Sequence, residues 1–211
     1  MNKPRRVRWW WVALAVLVVV LVPVAIVVVP ILTHQNQGLS VQEESAEAWP
    51  LTVTATGDDG RERSFTVLSP DPGGVVDTSA LEVGQKLVIS GTGYDSSRGI
   101  YVAICRIPDD ASVKPGPCIG GVPSTDGEAV SEGAVQYAAS NWINDDWAWK
   151  LFGARSYDDV STGTFTAYLE VGSPTADNLD CTVEKCGIFT RNDHTALSDR
   201  VQDLYVPVAF N

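Results

Sequence analysis

The chain has 211 residues, 45% of them hydrophobic, and a formal net charge of −11. That is enough apolar material for one domain with a core of its own. The excess of 26 acidic over 15 basic side chains excludes nucleic acid as a partner, because phosphate binding needs clustered Lys and Arg to release counterions.

Residues 1–8 contain Lys3, Arg5, Arg6 and Arg8, and Trp9 to Leu32 are 24 consecutive residues without a charge. A helix of that length measures roughly 36 Å against a hydrocarbon core of about 30 Å, so it can span a bilayer with some tilt. The next cation is Arg61. This asymmetry predicts a cytoplasmic N-terminus (1–8), a transmembrane signal anchor (9–32) and an extracytoplasmic remainder. Trp9, Trp10 and Trp11 stand where an interfacial aromatic belt belongs. The alternative, a cleaved signal peptide, would have an apolar region of about 7–15 residues ending at a small-residue site. The first A-x-A pattern, Ala46 to Ala48, lies well beyond this segment. The exported part holds 11 basic against 26 acidic residues, a formal charge of −15, which favours solubility and cationic partners.

Residues 33–49 are polar, without periodicity, and include Glu43, Glu44 and Glu47. They read as a flexible linker reaching roughly 23 Å on average. From residue 50 onward short strand signals alternate with turns. Leu51 to Thr56 and Ser64 to Leu68 form a hairpin about Gly57-Asp58-Asp59-Gly60. Further strands are expected at Lys86 to Ser90, Ile100 to Ile107, Thr164 to Val171, Cys186 to Thr190 and Leu204 to Phe210, with Pro207 marking an edge or bulge in the last. No exported segment carries a long 3.6-residue pattern, so the fold class is all-β, a sandwich.

The four cysteines, Cys105, Cys118, Cys181 and Cys186, in an exported chain read as two disulfides. Three pairings are possible, and the sequence-local one, Cys105–Cys118 with Cys181–Cys186, is preferred. The spacings do not match the paired C-x2-C of a zinc ribbon.

The aromatic excursion at about 120–160 is the most unusual part of the domain, with Trp142, Trp147, Trp149, Phe152 and Tyr157 close together. Tryptophan needs burial and an acceptor for its N–H. The segment is therefore either a cleft wall or contact patch for a partner, or a satellite core of its own sandwich. Asp126, Glu128 and Glu132, or Asp145 with Asp146, are acidic enough for calcium but match no EF-hand loop. His194 is the single histidine of the domain, and no G-x-S-x-G elbow accompanies it, so no catalytic set is evident.

Two regions carry a family resemblance. Asp180 to Ile188 (D-C-T-V-E-K-C-G-I) and Val206 to Asn211 (V-P-V-A-F-N) resemble the C-terminal part of neocarzinostatin-type apoproteins. Leu81 to Tyr94 (L-E-V-G-Q-K-L-V-I-S-G-T-G-Y) and Gly99 to Cys105 (G-I-Y-V-A-I-C) resemble that family's strand, G-x-G turn and Cys-bearing strand. The resemblance implies an immunoglobulin-like sandwich of about seven strands, here with an extra N-terminal hairpin, and two short-loop disulfides, in an exported actinobacterial protein. Its founding members carry an apolar chromophore in a cleft. The retained anchor and the divergent middle segment depart from those secreted carriers. By analogy with relatives beside haem-uptake domains, His194 and Tyr94 are candidate haem ligands. The expectation is a non-catalytic accessory or adaptor subunit docking on a membrane or envelope protein, with no cofactor of its own. The alternative is a binding module for an apolar small molecule or haem.

Overall fold

The structure, a computed structural model, describes residues 9–121, 135–176 and 178–211. The basic stretch 1–8, residues 122–134 of the aromatic excursion and the acidic trio Asp126, Glu128 and Glu132 lie outside them. The chain divides into two compact units, Met1–Gln35 and Asn36–Asn211. In the first, Trp9–Thr33 forms one helix, α1, because an uninterrupted apolar run satisfies its backbone internally. It is long and apolar enough to cross a membrane.

The second unit is a β-sandwich. Its strands are β1 (Ser40–Gln42), β2 (Thr52–Gly57), β3 (Glu62–Leu68), β4 (Lys86–Thr92), β5 (Ile100–Arg106), β6 (Ser140–Ile143), β7 (Phe165–Glu170), β8 (Thr175–Ala176), β9 (Leu179–Asp180), β10 (Cys186–Asn192) and β11 (Leu204–Val208). A five-stranded sheet runs in the order β1-β2-β3-β4-β7 and a four-stranded sheet in the order β11-β10-β5-β6, while β8 and β9 form a small separate ribbon. Every paired strand is antiparallel. The chain changes sheet between β4 and β5, β6 and β7, and β7 and β10, which is the connectivity of an immunoglobulin-like sandwich.

Alternation builds the core. Leu87 and Ile89 of β4, Phe165, Ala167 and Leu169 of β7, and Leu204, Val206 and Val208 of β11 point inward with Ile100, Val102 and Ile104 of β5. The expected hairpin is present as β2 and β3, with Val53 opposite Phe65. Pro207 lies on β11, the edge of its sheet, where a missing N–H is tolerated. The G-x-G at the end of β4 has a steric reason. A Cβ on Gly91 would stand 2.2 Å from the Phe165 ring, and Gly93 has φ +81° with Glu62 O 2.0 Å from where a Cβ would be. The cysteines pair as the sequence-local choice has them, Cys105 with Cys118 and Cys181 with Cys186.

Two expectations are corrected. The supposed linker 33–49 is not free: from Asn36 it belongs to the folded unit. Asn36 Nδ2 donates to Ser198 O, β1 pairs with β2, and Gln42 exchanges two 2.9 Å hydrogen bonds with the main chain of Tyr205. Polar composition hid a strand stabilised by side-chain-to-backbone bonds rather than by apolar packing. Likewise the excursion at 120–160 is not wholly outside the sandwich, because Ser140–Ile143 is the edge strand β6. Asn141 ties that strand to β7 through bonds to the O and N of Tyr168.

Candidate functional site

The outer face of the four-stranded sheet is where the unusual chemistry collects. On β5, Tyr101, Ala103 and Cys105 point away from the core, yet all three are buried. Two coverings explain this. Toward one end, Tyr101 packs with Trp142, Ala154 and Trp149. Toward the other, Ala103, Cys105 and Phe189 pack with Ile107, Cys118 and Tyr205.

The first covering is an aromatic turn. Asp146 caps the short helix α2 (Trp147–Lys150) by accepting from Ala148 N at 2.9 Å. Asp145 accepts from Lys150 Nζ at 2.8 Å and from Tyr157 N at 3.0 Å. The Asp145–Asp146 pair considered for calcium is thus engaged in shaping this turn. Beneath it, Trp142 Nε1 and Asn144 Nδ2 both donate to Asp193 Oδ2 at 2.9 Å, and Asp193 Oδ1 accepts from Thr195 N and Oγ1. His194 lies half-buried against the faces and edges of Trp142 and Trp149, with centroids 5.3 and 4.6 Å away. Its Nδ1 shares a 2.9 Å hydrogen bond with the Tyr101 hydroxyl. Burial, and then the charge of Asp193, push that hydroxyl up to about 12, so it stays protonated at neutral pH.

On this fixed base the turn presents Trp147, Leu151 and Phe152 to solvent, 62%, 72% and 62% exposed. Trp147 and Leu151 are one helical turn apart. Leu151 was not singled out from the sequence, although its i+4 spacing from Trp147 was the available signal.

The second covering encloses space. A cavity of about 290 Å³ is lined by Ile107, Val113, Pro115, Phe189, Tyr205 and the Arg200–Asp203 pair, among others. It shares a wall, including Gln42 and Asp109, with a more open groove of about 520 Å³ whose lining includes Glu43, Glu44, Glu47 and Lys185. Arg200 Nη1 donates to Asp203 Oδ2 at 2.8 Å, and Arg200 Nη2 donates to Leu197 O. Burial pushes the Asp203 carboxyl up to about 6, against the pull of Arg200 and Arg191.

The sequence-derived candidates therefore separate. Trp147 and Phe152 are displayed, and Trp149 is half-buried against Phe152 and His194. Trp142 and Tyr157 are corrected to interior residues: Trp142 is held by Asp193, and the Tyr157 hydroxyl donates to Arg98 O at 3.0 Å. Tyr94 is likewise removed from the haem candidates. It is fully buried, packed edge-on against Phe165 and hydrogen-bonded to Thr190 Oγ1 at 2.9 Å. Among the described residues, no three His, Cys, Asp or Glu side chains come together to hold a metal ion.

The folded unit is thus an all-β sandwich with two disulfides, preceded in the chain by one apolar helix. No family model and no solved structure matches it. The chain is similar to thiamine biosynthesis protein X from Corynebacterium glutamicum, 31% identical over 136 residues, 64% of its length. The chain spans 61% of that protein's length.

Proposed function

We propose that this is a single-pass membrane protein, N-terminus in the cytoplasm, whose neocarzinostatin-like sandwich is a non-catalytic interaction module docking on another membrane or envelope protein. The observation that supports the reading is the display of Trp147, Leu151 and Phe152 on one turn whose base is locked by Asp193 and Asp145. Large apolar side chains held rigidly at a surface lose little conformational entropy on binding and are the residue types that dominate interface energetics. The test is site-specific photocrosslinking in native membranes, with the photoreactive residue at Trp147 or Phe152 and, as control, at the exposed Val183. A discrete adduct from the first two positions alone supports the module. Equal or absent adducts at all three remove it.

A second reading, a binding module for a small molecule, is supported by the cavity between Phe189, Tyr205 and the 107–115 segment. Saturable binding of a small aromatic compound, lost in Phe189→Ala, would support it, and thiamine belongs in that screen because of the name of the similar protein.

A further inference from the structure

The folded unit holds 11 basic residues in a formal charge of −15; one of them, Arg200, lines the 290 Å³ cavity, and two more, Lys114 and Arg191, lie beside its wall. Lys114 lies in the chain between Val113 and Pro115, which both line it. Arg191 follows the lining residue Phe189 by two positions on the same face of β10, and its Nη1 donates to Pro115 O at 3.0 Å. Arg200 lines the cavity directly. The one acid among them is Asp203, paired with Arg200; Asp109 stands on the wall shared with the open groove. Arg191 Nε and Asp203 Oδ1 are both buried without a hydrogen bond of normal geometry. With Asp109 counted, three cations and two carboxylates leave a formal excess of one positive charge at and beside a partly buried place, which is electrostatically costly unless an anion joins them. Burial, with Arg191 and Arg200, lowers the Lys114 pKa, and burial lowers that of Arg191.

We propose that this cavity binds a small organic carboxylate, its apolar group between Val113, Phe189 and Tyr205 and its charge at Lys114, Arg191 and Arg200. The inference rests on the second reading above and adds the chemical class of the ligand. A volume of about 290 Å³ is at the lower end of small-molecule sites, so a single ring with a short acidic arm fits it.

The experiment uses the full chain in lipid nanodiscs, with empty nanodiscs as reference, and three matched probes: 4-phenylbutyrate, 4-phenylbutanol and 4-phenylbutylamine. The expected result is saturable binding of phenylbutyrate, about tenfold tighter than the alcohol, the size of one charge-assisted contact. Lys114→Gln and Arg191→Gln each weaken the acid and leave the alcohol unchanged, and Asp203→Asn tightens the acid. Lys114→Gln, at an exposed position, decides the matter if Arg191→Gln fails to fold. If the alcohol binds as well as the acid, or the amine binds best, the carboxylate proposal falls while the cavity reading survives. If no probe binds, both fall.

Discussion

The indole N–H of Trp142 donates to the carboxylate of Asp193 at 2.9 Å, across 51 residues of chain. This bond fastens the edge strand β6 to the connection between β10 and β11, and the exposed aromatic turn is built on top of it. Asp193 accepts four hydrogen bonds within this cluster and is fully buried. Asp193→Ala leaves the Trp142 and Asn144 donors unpaired, each a loss of about 1–3 kcal/mol. The expected outcome is a drop of about 2–5 kcal/mol in unfolding free energy, read by tryptophan fluorescence in denaturant. Trp147→Ser, at the surface, changes it by less than about 0.5 kcal/mol. A large loss from Trp147→Ser would make the displayed turn part of the core.

Gly99 is the hidden spacer of the same cluster. A Cβ there would stand 1.9 Å from Asp193 Oδ2 and 2.3 Å from Asn144 Nδ2. Gly99→Ala must push the carboxylate off its donors and is expected to destabilise by about 1–3 kcal/mol, as overpacking does. Combined with Asp193→Ala the loss is less than additive, because the obstructing oxygen is gone. Additive losses in a double-mutant cycle would show that Gly99 acts elsewhere.

The two disulfides differ in the loop they close, with sequence separations of 13 and 5. In the chain-entropy model these correspond to roughly 3 and 2 kcal/mol. Replacing Cys105 and Cys118 by Ser is expected to lower the melting temperature more than replacing Cys181 and Cys186. It also frees the segment carrying Val113 and Pro115, so binding of any cavity ligand should weaken in the first variant and persist in the second.

Asp203 gives a defined pH dependence. Its carboxyl is raised from the ordinary 3.8 to about 6 in the folded state, so the native protein holds this proton more tightly than the unfolded chain does. The resulting stability is fully present below about pH 4 and is lost as pH rises through about 6. Asp203→Asn removes this component, so the difference in unfolding free energy between wild type and variant should slope between pH 4 and 6 and level off above. A flat difference over that window would place the carboxyl at its ordinary value.

The sandwich was legible wherever one face of a strand is core and the other is not. Phe165, Ala167 and Leu169 alternate with Thr166, Tyr168 and Glu170 for that reason. β6 was not legible, because Asn141, Trp142 and Ile143 are buried on both sides, and no alternation survives when both faces are covered. β1 was invisible for the opposite reason: Ser40, Val41 and Gln42 bring little apolar surface, and the partner of Gln42 lies 163 residues away. At the site, the composition of the aromatic segment stood out, but sequence could not divide Trp142, which is interior, from Trp147, which is displayed. Arg191, Arg200 and Asp203 carry no motif in the sequence, and only the fold brings them beside the 107–115 segment.

The stitching of β1 also governs how the sandwich could be shed by a protease. The segment from Glu43 to Trp49 is irregular and largely exposed, which is the kind of backbone proteases nick. A cut there severs the chain but leaves Ser40–Gln42 hydrogen-bonded to β2 and Gln42 clamped on Tyr205. The sandwich then stays attached to the helix-bearing fragment without a peptide bond, and its release rate follows the local opening of β1 rather than the rate of cleavage.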